Sequence, residues 1–587
     1  MADTYKIFPA IGVARVGTSQ EYYLAPETSG GLPILPGGGD FQSTDFRDSS
    51  GELRRQGARF RVYRYPEAGG PPVEVLPGQN GVARIEWTVH LANKKSAWYK
   101  FDPVSGTGVY PPPPEAELRN SSVTGDARTA LITDAGPRTL TDAGQSATFD
   151  AASAPDGYTA TFPPALEPWT ITSLGEIHTE ATTGRLIVVG GFGHSGTDQA
   201  YPPATDLNYA NNDNWWDDTS DGSVTATIVF TDTATPSVSP DPAWVAVPPP
   251  AYAPEVIAQI SMYDVIFDVA VRKGYYPDIY ENGAYKTGAG GYIPQFDTEI
   301  KPLLDRALAY GGVSDPHGNC HVFDYESLGD PNGNANSRQN LRDMMRTIDQ
   351  ASDHGPGAGL MPMLAGDVSA SDTDLSSAYV TYTATQIFFA DQWAAGYFTS
   401  GGTLPDDEAE LLTRAALDNC SGAAFAPGIE MTWFSRRPEI YSEPFRLNHR
   451  TFTPPLSTDA TDLAEGLEPG DFIKFMAIPW QADFNECAVQ GIEGKNVNWW
   501  PAQRPLKMIR QGETQAQPWV GQDTNSGDGS TYLRFEFNTD MVDHWQELGF
   551  GMNTAEGFVE VERLYTDPVA DSKRPSKGRP QNRSRRR

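Results

Sequence analysis

The chain has 587 residues, with 44 Lys and Arg against 76 Asp and Glu and a formal net charge of −32. A body this acidic repels phosphate backbones, which excludes nucleic-acid binding by the main fold. Its 13 Trp, 25 Tyr and 26 Phe exclude disorder for the bulk of the chain.

Up to about residue 250 the chain reads as strands and loops. RFRVYRY (59–65), ARIEWTVHLA (83–92), RLIVVGGFG (185–193) and VTATIVF (224–230) alternate or run apolar and are rich in β-branched and aromatic residues. Turn clusters such as Gly37–Asp40 and the four prolines Pro111–Pro114 separate them. GGFG (190–193) and GAGG (288–291) lack the full dinucleotide-binding pattern and read as turns. NDNWWDDTSDGSV (212–224) fits a calcium loop only loosely, because Thr219 breaks the ligand pattern and no Glu closes it at Ile228; a polar surface loop is expected.

After the Pro-rich hinge 248–254 the period changes. Val256, Ile257, Ile260, Tyr263, Ile266 and Val269 recur every three to four residues, which predicts a buried helix. Further helices are expected over 296–312, 337–349, 383–396 and 404–419, and strand–helix–strand over 531–565. The fold class is therefore α+β. A β-rich, sandwich-like domain (1–250) packs on a helix-rich catalytic domain (251–570), and a basic disordered tail follows (571–587) with eight Lys and Arg from Lys573 to Arg587.

Three widely spaced cysteines form neither a disulfide framework nor a zinc ribbon. His317, Cys320 and His321 could form a metal cluster, but a plain loop is preferred and no metal is expected. No run approaches the roughly 18 apolar residues of a membrane span. No ordinary signal peptide is visible, so synthesis is expected in the cytoplasm, and any export would use another route.

One region concentrates reactive groups: PWQADFNECAVQGIEGKNVNWWPAQRP, 479–505. Cys487 precedes Trp499 by 12 residues and Trp500 by 13, a loop short enough to close a thiol on an indole at small entropic cost. On a helix Asp483 and Cys487 share one face. The competing reading makes Trp480, Trp499 and Trp500 core aromatics and Cys487 a small buried hydrophobe.

PWQADFNEC followed by WWPAQRP resembles the hallmark of the lysine ε-oxidase/glycine oxidase family, whose cofactor is cysteine tryptophylquinone. FPAIGVARVG (8–17), NYANNDNWWDDTSDGSVTA (208–226), CSGAAFAPGIEMTW (420–433) and MVDHWQELGF (541–550) are similar to other family segments, in the same order. The resemblance implies that Cys487 supplies a thioether sulfur and Trp500 the indole that becomes the quinone, with Trp499 the alternative or a pocket wall. It implies that Asp483 is the carboxylate beside the forming cofactor and that Cys420 lies near the substrate, which favours lysine over glycine. By the same resemblance His194 and Tyr209 line the pocket.

A quinone of this kind accepts a primary amine, and a base then removes the proton from the carbon beside nitrogen. Hydrolysis releases an aldehyde and ammonia, and dioxygen takes the electrons as hydrogen peroxide. The base is expected to be desolvated and Asp483, between Trp480 and Phe484, meets that condition; Lys495 is a rival. Arg436, Arg437, Arg446, Arg450 and Arg504 are candidates for holding a substrate carboxylate. A separate flavoprotein is the implied partner in making the cofactor, and a homo-oligomer is the implied assembly. The alternatives are oxidation of glycine or another α-amine, or a binding protein of the same fold without the cofactor.

Overall fold

The structure, a computed structural model, describes residues 3–101, 115–201, 207–309, 322–350, 359–362, 380–420, 432–459, 462–486, 489–492, 495–498, 507–510, 514, 517–518, 537–554 and 557–564. Two large sheets form the N-terminal part. In the first, the long strand Arg55–Tyr65 pairs antiparallel with Thr4–Phe8 on one side and Leu186–Val189 on the other. Ser173–Thr179 and Ser146–Asp150 extend it. In the second, Ser220–Phe230 lies between Val82–Asn93 and Ala243–Val247, and Ile11–Val13 closes the edge in parallel.

The alternation of these strands sets which residues meet. Phe60, Val62, Ile177 and Val188 of the first sheet share one buried cluster with Trp87, Val89, Val224 and Val245 of the second. The same cluster takes in Trp480, Phe484, Met541, Trp545, Phe550 and Val559 from the far end of the chain. The helix 480–486 and these residues of 541–559 are thus buried against the β layers, although more than two hundred residues separate them in sequence.

The helices gather a second core around Phe296, Leu303, Phe388, Phe389 and Trp393. Their starts follow side-chain caps. Thr383 and Gln386 form a capping box before Ala384–Ala394, and Asp407 caps Glu408–Asp418, within the helices expected over 383–396 and 404–419. The helix expected after the 248–254 hinge starts later, at Met262–Arg272. Ser261 and Asp264 form a capping box there, and Ser261 Oγ also donates to Asp418 Oδ1 at 2.7 Å. Val256 and Ile260 precede that cap and are buried from a loop, so apolar spacing alone misplaced the boundary. The 337–349 helix likewise ends at Met344, and Ile348–Gln350 is a separate 3-10 turn. In the last region the helix Asn538–His544 is followed by two paired strands, Phe550–Thr554 and Gly557–Arg563; residues 531–536 lie outside the described set. So do the tail, Pro111–Pro114 and the His317, Cys320, His321 group. Among the described residues no helix is long and apolar enough to cross a membrane.

Candidate active site

The helix Trp480–Glu486 carries Asp483, and Cys487 follows it in the sequence. It is deeply enclosed: Trp480, Gln481, Ala482, Asp483 and Phe484 are each at most 2 % exposed. Trp480 meets Trp545 edge-on at 5.1 Å, and Phe484 packs on Tyr252 at 5.2 Å. Asp483 therefore has the dry surroundings expected of it.

Three remote segments hold this helix. Gln481 accepts from Ser195 Oγ at 2.7 Å and donates to the Gly193 carbonyl at 3.1 Å. Asn485 donates to Asn538 at 2.8 Å, and Asn538 in turn to the Leu207 carbonyl. The backbone N–H of Trp480 donates to Asp217 Oδ2 at 3.2 Å.

That last contact overturns the expectation of a polar surface loop over 212–224. Trp215–Asp217 and Ser220–Phe230 are strands, and Asp217, Asp218, Thr219, Ser220 and Asp221 are at most 1 % exposed. Asp217 and Asp221 are satisfied largely by groups that local sequence cannot reveal. Asp217 takes Lys95 Nζ at 2.5 Å. Asp221 takes Trp244 Nε1 at 2.9 Å and the Ile473 N–H at 3.0 Å. Gly222 is a strand glycine, because a Cβ there would stand 1.6 Å from the His90 carbonyl oxygen. Among the described residues no group of His, Cys, Asp and Glu could hold a metal ion.

The GGFG cluster is also more than a turn. A Cβ on Gly191 would meet the Asp218 carboxylate at 2.7 Å. Gly193, at φ +73°, lies against Trp545, where a Cβ would come within 2.1 Å of the indole. The glycines let this loop close between Asp218 and the wall of the Trp480–Glu486 helix. Phe192 N–H donates to Asp218 Oδ2 at 2.6 Å.

Burial pushes the Asp218 carboxyl up to about 8, with Asp217 adding to it, against the N–H groups of His194, Phe192 and Gly193. Burial likewise raises Asp221 to about 7. A raised carboxylate keeps its proton when folded at a pH where the unfolded chain has released it. Its contribution is greatest below the ordinary carboxylate value and falls as pH rises toward the folded value. Stability is expected to decline between about pH 4 and pH 8, and Asp218→Asn to flatten that slope while leaving the share from Asp221. Thermal midpoints of both proteins at pH 5 and pH 8 check it; parallel declines would refute a neutral Asp218.

A second buried charge cluster lies beside the first. Lys94 donates to Glu468 at 2.8 Å and to Asp471 at 3.0 Å, and Lys474 to Asp471 at 3.2 Å. Lys474 sits 3.6 Å over the Trp98 ring, and burial lowers its ammonium to about 8 against the pull of Asp471. None of Lys94, Lys95, Asp218 and Lys474 was singled out from sequence, and Asp217 only as a position of the loose calcium-loop pattern. The available signal was a charge inside an apolar run, as in VHLANKKSAW and DFIKFMAI.

Of the residues proposed from sequence, His194 and Tyr209 adjoin residues bonded to the 478–486 segment that bears Asp483. His194 stacks on Trp169 at 5.3 Å and immediately precedes Ser195, which binds Gln481; burial lowers its imidazole. Tyr209 meets Phe101 edge-on at 6.4 Å and precedes Ala210, whose carbonyl takes the Ile478 N–H at 3.0 Å. Both flank the segment that bears Asp483. Cys420 lies in another cluster, with Trp98, Phe434 and Phe475, and receives Arg15 Nη2 at 3.4 Å. Arg446 and Arg450 are engaged in the fold, Arg446 with the Ile7 carbonyl at 3.2 Å and Arg450 with Glu465 at 2.7 Å. Cys487, Trp499, Trp500 and Arg504 lie outside the described residues. So does the side chain of Lys495.

Residues 8–247 match the model of the L-lysine epsilon oxidase N-terminal domain, and 362–505 that of the L-lysine epsilon oxidase C-terminal domain. The chain belongs to the L-lysine ε-oxidase family. It is 30% identical to the L-lysine 6-oxidase of Marinomonas mediterranea over 95% of this chain and 89% of that protein. The structure of the ε-lysine oxidase from that organism superposes with a TM-score of 0.81 at 28% identity, covering 95% of each chain. A structure described as the Schiff base intermediate of L-Lys ε-oxidase from that organism with L-Lys superposes at 0.79, 26% identical, again over 95% of each. The C-terminal family model of this L-lysine ε-oxidase relative spans Asp483 and both tryptophans, and the N-terminal model spans the 190–224 segments that hold the helix.

Proposed function

We propose that this chain oxidises the ε-amine of L-lysine, using cysteine tryptophylquinone made from Cys487 and Trp500. The observation that carries the reading is the buried Asp483 on a helix that Cys487 follows in the sequence, inside the matched C-terminal family domain. The relatives named as lysine oxidases support the substrate. The choice of Trp500 over Trp499 follows its 13-residue spacing from Cys487, by the family resemblance.

The residues fit the group: a cysteine, a tryptophan and a carboxylate are the donor set it requires. When formed, the quinone supplies an electrophilic carbonyl and a sink for two electrons. Asp483 takes the proton from the substrate carbon beside the amine nitrogen, and its enclosure by Trp480 and Phe484 keeps water from solvating the carboxylate. His194 and Tyr209 line the approach. Overall, amine, dioxygen and water become aldehyde, ammonia and hydrogen peroxide. We assign maturation to a flavoprotein partner, the working form to a homo-oligomer, and the chemistry to a 251–570 catalytic domain.

The test is the peptide mass of the chain co-expressed with its cognate flavoprotein, followed by an amino-acid panel read by peroxide release. A Cys487–Trp500 cross-link with two added oxygens and four fewer hydrogens is expected, with lysine the preferred substrate. A free Cys487 thiol in that preparation would overturn the cofactor, and a preference for glycine would overturn the substrate.

A further inference from the structure

The Trp480–Glu486 helix needs an anchor that its own sequence does not provide. Pro479 has no N–H, so the Trp480 N–H is the first the helix can offer, and it goes to Asp217, 263 residues away. Asp217 is itself fixed by three further donors. Lys95 Nζ donates to its Oδ2 at 2.5 Å, and Thr219 Oγ1 and Asn93 Nδ2 donate to Oδ1 at 2.7 and 3.0 Å. Lys95 Nζ also donates to the Ala477 carbonyl at 2.8 Å. The ion pair therefore grips the chain on both sides of Ile478 and Pro479. Both side chains are 0 % exposed.

A pair so buried is a poor source of stability, since desolvating two charges offsets most of their attraction. What it supplies is a defined position. A carboxylate shared between a lysine and a backbone N–H fixes where the helix begins, and hence where Asp483 lies. We propose that Asp217, oriented by Lys95, is a positioning residue of the oxidase site that places Cys487 for cross-linking and Asp483 for proton transfer. This rests on the function proposed above.

The experiment compares Asp217→Asn, Lys95→Met and Thr219→Val with the wild type, each co-expressed with the flavoprotein. Asp134→Asn serves as control, because the His90–Asp134 pair (2.7 Å) is also buried, and among the described residues the other hydrogen bonds to the Asp134 carboxylate come from Gly136 and Tyr158, outside the helix. Near-UV circular dichroism reports folding, and the cross-linked fraction by peptide mass is the readout. Asp217→Asn and Lys95→Met are expected to lower the cross-linked fraction about tenfold or more, since displacements near 1 Å are costly for bond formation. Asp134→Asn is expected to stay fully cross-linked, whatever its thermal midpoint. Thr219→Val keeps the ion pair and removes one hydrogen bond, so it remains informative if the charge variants do not fold; a partial loss is expected. Full cross-linking and unchanged lysine turnover in the Asp217 and Thr219 variants would overturn the proposal. A wild-type chain without the cross-link would instead overturn the underlying function.

Discussion

Asp483→Asn is expected to lower lysine turnover by about two to four orders of magnitude, the usual contribution of a positioned general base. Asparagine keeps the shape and one hydrogen-bond acceptor but cannot take a proton at neutral pH. The side chain is 1 % exposed, so solvent offers little replacement. The loss should fall on kcat, with KM for lysine changing little, because the proton moves only in the transition state. Two measurements separate this from a failure of maturation: the cross-linked fraction by mass, and steady-state kinetics normalised to it. A normalised kcat within a few-fold of wild type would remove Asp483 from proton transfer and point to the rival Lys495.

Lys94→Met is expected to cost about 3 kcal/mol or more of folding stability, in the range for deleting one member of a buried ionic cluster. Lys94 is 0 % exposed and serves both Glu468 and Asp471. Lys474 still reaches Asp471, but Glu468 would keep only the more distant Arg450, at 3.7 Å, and the Ser457 N–H. The pH dependence has a definite sign. Burial works to raise the Asp471 carboxyl, yet Lys474 and Lys94 hold it below the ordinary range. A lowered carboxylate contributes stability above its unfolded value and loses it as pH falls. In the wild type this cluster therefore weakens on acidification. In the variant, protonating a carboxylate left without its lysine relieves the burial cost, so the deficit should narrow as pH falls toward about 5. Thermal midpoints across that range decide it, and a deficit independent of pH would mean that only packing was lost.

The strands and most helices were legible because their information is local. Arg55–Tyr65, Val82–Asn93 and Ser220–Phe230 contain the runs picked out by alternation, and the capped helices Ala384–Ala394 and Glu408–Asp418 match theirs closely. Where a boundary was missed, at Met262, the deciding feature was a capping box rather than apolar period. The burial of Asp483 was legible from its flanking aromatics, whereas the helix that bears it entered the sequence reading only as a condition.

The support of that helix was not legible, and the reason is physical. A string of aspartates such as 217–221 is costly to bury unless each finds a partner, and local sequence therefore reads it as surface. Lys95, Trp244, the 470–473 backbone and the glycines at 191 and 193 provide what that string needs only once the sheets bring them within 3.3 Å of a carboxylate or let the chain pass close by. By itself the sequence determined the α+β class and the family, and it singled out the Asp483–Cys487–Trp500 segment as the candidate site, all encoded over short stretches. Only the tertiary structure decided which charges are interior and what anchors Asp483, because a buried carboxylate is defined by neighbours that arrive from elsewhere in the chain.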